Sequence, residues 1–167
     1  MSPPTSNAQA ELSLAEFNSA ATDRVRGLLT ECLAVPRWVD TVLAGRPYPD
    51  LDALLAAAEA AGPLRPAEVR GALDSHPRIG ERVTGGWSRT EQSGVDDAAA
   101  ESFRAANAEY ERRFGHIYLV CASGRDGAEL LADLRRRLAN DPDAELAVAG
   151  RELMRIASLR LRKAVRP

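Results

Sequence analysis

The apolar run IYLVCA (Ile117–Ala122) decides how this chain is read, because it is compatible with either a strand or a buried helical turn. No other segment competes for strand status, since the periodicity on both sides is helical. Just upstream, Phe103, Asn107, Tyr110 and Phe114 fall on one stripe of a helix predicted from Asp96 to Phe114. Downstream, Gly127 to Leu138 and Ala144 to Ala164 read as two helices joined by an Asp141-Pro142-Asp143 turn.

The same pattern continues toward the N-terminus. Leu14 and Phe17 begin a short apolar turn, and Val25, Leu28, Leu29 and Cys32 mark a helix that stops before Pro36. Trp38, Val39, Val42 and Leu43 form another, closed by Gly45-Arg46-Pro47. Asp50 is placed to cap a helix ending near Gly62, and Pro66 sits in the first turn of one that runs to His76. The glycine-containing stretch from Gly80 to Trp87 is a loop. The fold class expected is all-α: one compact irregular bundle of about seven to eight helices, without heptads or internal repeats. Its predicted span is 12–167, after a patternless and disordered segment at 1–11.

Composition narrows the function. The chain has 167 residues, 28% of them charged, and a formal net charge of −2, which gives no electrostatic footprint for nucleic acid or an acidic membrane surface. No apolar run has the length of a membrane span, and the N-terminus lacks the hydrophobic core of a signal peptide. Cys32 and Cys121 lie far apart and the chain has only two histidines, so no zinc set assembles and buried free thiols are expected. These features point to a cytoplasmic, metal-free domain.

Two features suggest chemistry. SHPRIGE (Ser75–Glu81) ends a helical pattern with His76 beside Pro77, and SRTEQSG (Ser88–Gly94) supplies a carboxylate, Glu91. An imidazole and a carboxylate on adjacent elements suit proton transfer, although a capping histidine and a surface glutamate would leave the same pattern. The last helix carries the second feature. Projected at about 100° per residue, Leu146, Ala149, Leu153, Ile156 and Ala157 share a side and Arg160 falls among them. A guanidinium on that side requires an anion or carbonyls as partner, from within the protein or from a ligand.

Taken in order and spacing, these motifs resemble the OHCU decarboxylase family, whose substrate is 2-oxo-4-hydroxy-4-carboxy-5-ureidoimidazoline. The resemblance runs from about Leu14 to Ala164. It includes RPYPDLDALL (Arg46–Leu55), SHPRIGE, SRTEQSG, NAEYERRFGHIYLVCA (Asn107–Ala122) and IASLRLRKA (Ile156–Ala164). It implies an all-helical fold, a cofactor-free decarboxylation to (S)-allantoin in urate breakdown, and a homodimer. It further implies that His76, Glu91 and Arg160 are catalytic. Pro77, Ser88, Arg89 and Gln92 would line the substrate site, with Tyr118, Leu119, Val120, Cys121 and Ala122 holding the ureido and ring amides through backbone groups. The chain departs from the family in reading HPRIGE where many members read HPDLAG, in a shorter loop after it, and in Phe114-Gly115-His116-Ile117-Tyr118. The last change alters the pocket wall expected around Tyr118 and gives His116 no inherited role. The alternative is a helical interaction module that kept the fold without the activity, and a third reading is the same site tuned to another ureido acid. Retention of His76, Glu91, Gln92 and Arg160 together speaks against the interaction module.

Overall fold

The computed structural model describes residues 11–76 and 96–167, and among these are eight helices and two short strand pieces. The all-α expectation holds. The disorder predicted up to residue 11 falls, apart from Glu11, outside the described residues, as does the loop from Gly80 to Trp87. The chain forms two compact units: residues up to Pro63 with Met154–Pro167, and Leu64–Leu153.

In the first unit β1 (Leu12–Ser13) leads into α1 (Leu14–Ser19), α2 (Thr22–Cys32), α3 (Pro36–Ala44) and α4 (Leu51–Ala60). Ser13 caps α1 by accepting a hydrogen bond from Glu16 N at 3.1 Å. Pro36 opens α3, where its missing N–H costs nothing. The predicted cap of α4 is present: Asp50 Oδ1 accepts from Ala53 N at 2.7 Å. Trp38 is fully buried, and its indole N–H donates to Ala58 O at 2.9 Å, so a large apolar ring enters the core without stranding a donor.

The connection from α3 to α4 is tied to the end of α1. Asn18 and Tyr48 bond reciprocally, Asn18 Nδ2 to Tyr48 O at 2.9 Å and Tyr48 N to Asn18 Oδ1 at 2.8 Å. Arg46 Nη1 donates to Phe17 O and Ala20 O at 3.0 and 2.9 Å, satisfying carbonyls that the helix end leaves open. Tyr48 Oη donates to Val42 O at 2.7 Å, and a Cβ on Gly45 would lie 2.1 Å from the Tyr48 hydroxyl oxygen. Glycine at 45 is therefore a packing requirement.

The strand content differs from expectation in place and length. β1 pairs in parallel with β2 (Val165–Arg166), Leu12 opposite Val165 and Ser13 opposite Arg166. Two-residue pieces are too short to show the alternation from which strands are read. Ile117–Ala122, the expected competitor, belongs to no helix or strand.

The second unit contains α5 (Pro66–Asp74), α6 (Asp96–Phe114), α7 (Gly127–Leu138) and the first part of α8 (Pro142–Ala164), whose remainder from Met154 belongs to the first unit. Gly115, at φ 75°, takes the left-handed conformation that stops α6 and turns the chain into Ile117–Ala122. Asp126 caps α7 by accepting from Glu129 N at 2.8 Å. α8 starts two residues before the predicted Ala144, because Asp141 Oδ1 accepts from Asp143 N and Ala144 N and Pro142 fits the first turn. Ala106, Tyr110, Tyr118, Val120, Leu130 and Leu134 form the core, with Phe103 and Phe114 packed against it as the α6 stripe predicts.

Replacing Asn18 with Ala removes both bonds of the Asn18–Tyr48 pair and leaves a half-buried backbone donor and acceptor open. We expect it to lower unfolding free energy by about 1–3 kcal/mol in urea titrations, without loss of helical signal at neutral pH.

Candidate active site

His76 lies two residues past α5, where the helix has stopped at Asp74. Its backbone N–H donates to Leu73 O at 3.1 Å, and its side chain is half-buried. The helix end expected at the His76-Pro77 boundary is thus observed two residues early. Pro77, Ser88, Arg89, Glu91 and Gln92 lie outside the described residues. His76 and Tyr118–Ala122 belong to the second unit, whereas Arg160 belongs to the first.

Arg160 requires a correction. It is exposed and does not point into the core. The buried stripe of α8 runs through Leu146, Ala149, Leu153, Ala157 and Leu161, so Ile156, only half-buried, and Arg160 flank it. Its Nη1 donates to Glu31 O at 3.1 Å, a carbonyl in the last turn of α2, where a cation is favoured by the open acceptors and the helix dipole. The guanidinium also lies near Cys32. That thiol is pushed up to about 11, mainly by burial, partly offset by Arg160. Cys32 is therefore a neutral thiol at physiological pH, in keeping with the free buried cysteine expected. Cys121 is also free but only half-buried.

Tyr118, Leu119 and Val120 are buried, Cys121 is half-buried and Ala122 is exposed. Tyr118 and Val120 enter the aromatic core. Tyr118 Oη donates to Asp133 Oδ2 at 2.7 Å, Leu119 O accepts from Arg137 Nη1 at 2.7 Å, and Cys121 N donates to Glu152 Oε2 at 3.3 Å. The segment is thus fastened from both α7 and α8. Asn107, which interrupts the aromatic stripe of α6, has a buried Oδ1 without a hydrogen-bond partner among the described residues.

Behind this segment lies a buried charged cluster that the sequence reading missed. Arg137 is 1% exposed and Glu145 0%. Arg137 Nε donates to Glu145 Oε1 at 2.7 Å, and Nη2 approaches the same oxygen at 2.6 Å as an ion contact without hydrogen-bond alignment. Tyr110 Oη also donates to Glu145, and Asn140 Nδ2 donates to its other oxygen at 3.0 Å. The guanidinium lies 4.7 Å from the Tyr118 ring centroid. Burial favours the neutral form of Arg137, but Glu145 outweighs it and the guanidinium is held more firmly charged than usual. Tyr110 and Tyr118 are pushed well up, first by burial and then by their carboxylate partners, so both remain phenols that donate.

A sequence signal for this cluster existed. Leu130, Asp133, Leu134 and Arg137 follow the spacing of one helix face, which places two charges on an apolar stripe. Asp133 is pushed up by burial, yet the Tyr118 hydroxyl and the guanidinia of Arg137, Arg136 and Arg125 together hold it below the usual carboxylate range.

Because its folded pKa is depressed, Asp133 contributes stability above the ordinary carboxylate pKa of about 3.9, and that contribution is lost as pH falls through the lower folded value. Asp133→Asn should therefore be less stable than the parent at pH 7, with the gap closing in strongly acidic buffer. Chemical denaturation across that pH range tests this, and a gap independent of pH would overturn the assignment.

Among the described residues, no group of His, Cys, Asp or Glu is arranged to hold a metal ion, and no helix is long and apolar enough to cross a membrane.

The OHCU decarboxylase family model matches residues 18–162. The chain is 35% identical over 103 residues to the uric acid degradation bifunctional protein TTL of Arabidopsis thaliana, covering 55% of this chain and 32% of that protein. It is also 35% identical over 92 residues to the 2-oxo-4-hydroxy-4-carboxy-5-ureidoimidazoline decarboxylase of Amia calva, covering 55% of this chain and 49% of that one. The matches thus span half or less of these curated relatives. Among solved structures, an OHCU decarboxylase crystallised in the presence of (S)-allantoin matches with a TM-score of 0.68 and 27% identity, over 80% of this chain and 94% of that chain. An (S)-allantoin synthase matches with a TM-score of 0.72 and 17% identity, over 93% and 54% of the two chains, a likeness of fold.

Proposed function

This chain belongs to the OHCU decarboxylase family, and from that premise we propose that it converts 2-oxo-4-hydroxy-4-carboxy-5-ureidoimidazoline to (S)-allantoin and CO2 in urate breakdown. The observation that carries this reading is the family match across residues 18–162. The structural likeness to a decarboxylase crystallised with (S)-allantoin supports it.

The substrate chemistry suits a site made of side chains. Its carboxylate and hydroxyl share a ring carbon next to a C=N bond. As CO2 leaves, the electron pair of the breaking C–C bond moves into that C=N. The imine is its own electron sink, so the protein's tasks are to stabilise the electron-rich intermediate and to protonate one face of the ureido-bearing carbon.

In this proposal His76 acts at the substrate hydroxyl and the departing carboxylate, or supplies the proton. Glu91 orients the hydroxyl and ureido groups and favours the protonated form of His76 by its negative charge. Arg160 supplies fixed positive charge for the anionic substrate; it is exposed and, among the described residues, donates to the Glu31 carbonyl through an N–H on Nη1, one of the five on a guanidinium. Pro77, Ser88, Arg89 and Gln92, with the backbone of Tyr118–Ala122, bind and orient the ring. We further propose that residues 12–167 act as one catalytic domain in a cytoplasmic homodimer.

The test is formation of optically active allantoin from freshly generated substrate, followed by circular dichroism. His76→Asn should lower turnover by about 10²–10⁴-fold, the usual worth of a positioned acid or base. Undiminished turnover would remove His76 from the chemistry. Arg160→Lys, which keeps the charge but loses the planar fork, should raise KM by roughly tenfold. Unchanged kinetics would make Arg160 a helix-capping residue alone.

A further inference from the structure

The Tyr118–Ala122 segment has no ladder partner among the described residues; side chains bond its interior backbone, and Ala122 O at its end accepts from Arg125 N at 3.1 Å. Two groups two residues apart are fastened: Leu119 O to Arg137 and Cys121 N to Glu152. Tyr118 and Val120, which alternate with these two residues, enter the aromatic core, the two-residue alternation of an extended chain. In such a chain the N–H and C=O groups of residues i and i+2 share an edge, and those of the residue between point to the other. Fastening Leu119 and Cys121 on one edge therefore turns the amide groups of Val120 toward the opposite one.

We propose that Arg137 is a positioning residue for the decarboxylation: oriented by Glu145, it fixes the Leu119 carbonyl and thereby the edge of the segment that meets the substrate. This rests on the functional reading given above. The geometry is specific. One guanidinium spends Nε on Glu145 at 2.7 Å and Nη1 on Leu119 O at 2.7 Å, while its face covers the Tyr118 ring at 4.7 Å. An ammonium cannot reproduce that divided fork. Glu145 is in turn held by Tyr110 and Asn140, so the anchor does not swing. Nothing in this arrangement requires Arg137 to touch the substrate. Its effect passes through the backbone it holds.

The experiment uses the full chain with two variants. Arg137→Lys keeps the charge opposite Glu145 but loses the divided fork. Arg137→Met combined with Glu145→Gln removes both charges, so neither is left buried and unpaired. Hydrogen exchange is read at the Val120, Cys121 and Ala122 amides, and kcat and KM are measured on freshly generated ureidoimidazoline. In both variants we expect exchange at these amides to quicken by at least tenfold and kcat/KM to fall by at least tenfold, mostly through KM. Asn18→Ala, which loses stability in the other unit, serves as the control and should keep the parental KM. A folded double variant with parental KM overturns the proposal, as does a KM that rises equally in Asn18→Ala. If the double variant does not fold, Arg137→Lys decides on the same criteria. If the parent makes no optically active allantoin, the functional reading fails, and the positioning proposal for this reaction fails with it; slowed or quickened exchange then reports only whether Arg137 holds the segment.

Discussion

A buried guanidinium facing a buried carboxylate is the constraint on which the second unit depends. Arg137 and Glu145 are almost wholly excluded from solvent, and each ion taken out of water carries a desolvation cost of several kcal/mol. That cost demands partners, and the cluster supplies them: a phenol and an amide for Glu145, and a backbone carbonyl and an aromatic face for Arg137, whose Nη2 meets Glu145 as an ion contact without a hydrogen bond. The positions of α6, α7, α8 and the Ile117–Ala122 segment within this unit follow from that demand, because each contributes a donor or an acceptor.

The first unit solves a similar problem with side chains bonded to backbone. Backbone left open by the end of α1 and by the α3–α4 connection is satisfied reciprocally by Asn18, Arg46 and Tyr48. Arg160 plays the same part at the end of α2. In both units arginine serves to satisfy carbonyls that secondary structure cannot reach, which is a task suited to a planar donor with several N–H groups.

Much of the fold was legible because helices declare themselves locally. Periodicity placed α6 and α7 at their observed limits, Asp50 and Pro66 marked helix starts through capping and a fixed φ, and Pro36 marked the end of α2. The β1–β2 pair was not legible, since two-residue strands are set by what lies beside them in space. Arg160 was misplaced because the buried row of α8 steps four residues at a time through Ala149, Leu153, Ala157 and Leu161, drifting around the helix so that by the last turn it has moved away from Arg160. Arg137 was overlooked for the opposite reason. It closes an Arg135-Arg136-Arg137 run at the end of a helix, where solvated charge is ordinary, although Leu130 and Leu134 put it on the buried face. His76, Glu91 and Arg160 drew attention by residue type and placement, but the roles expected of them and of the other motif residues came from family resemblance, because proton-transfer roles are not encoded in helical periodicity.

The ion pair in the second unit also restricts how this sequence can drift. Losing either partner alone strands a charge at a cost of about 3–5 kcal/mol, a large part of the margin by which an ordinary domain stays folded. A lineage can therefore exchange Arg137 and Glu145 together, or neither, but passes through a poorly tolerated intermediate if it changes one first. Tyr110 and Asn140, whose side chains bond Glu145, are bound into the same epistatic set, so substitutions at these positions are expected to be inherited as a block while the helix surfaces around them diverge freely.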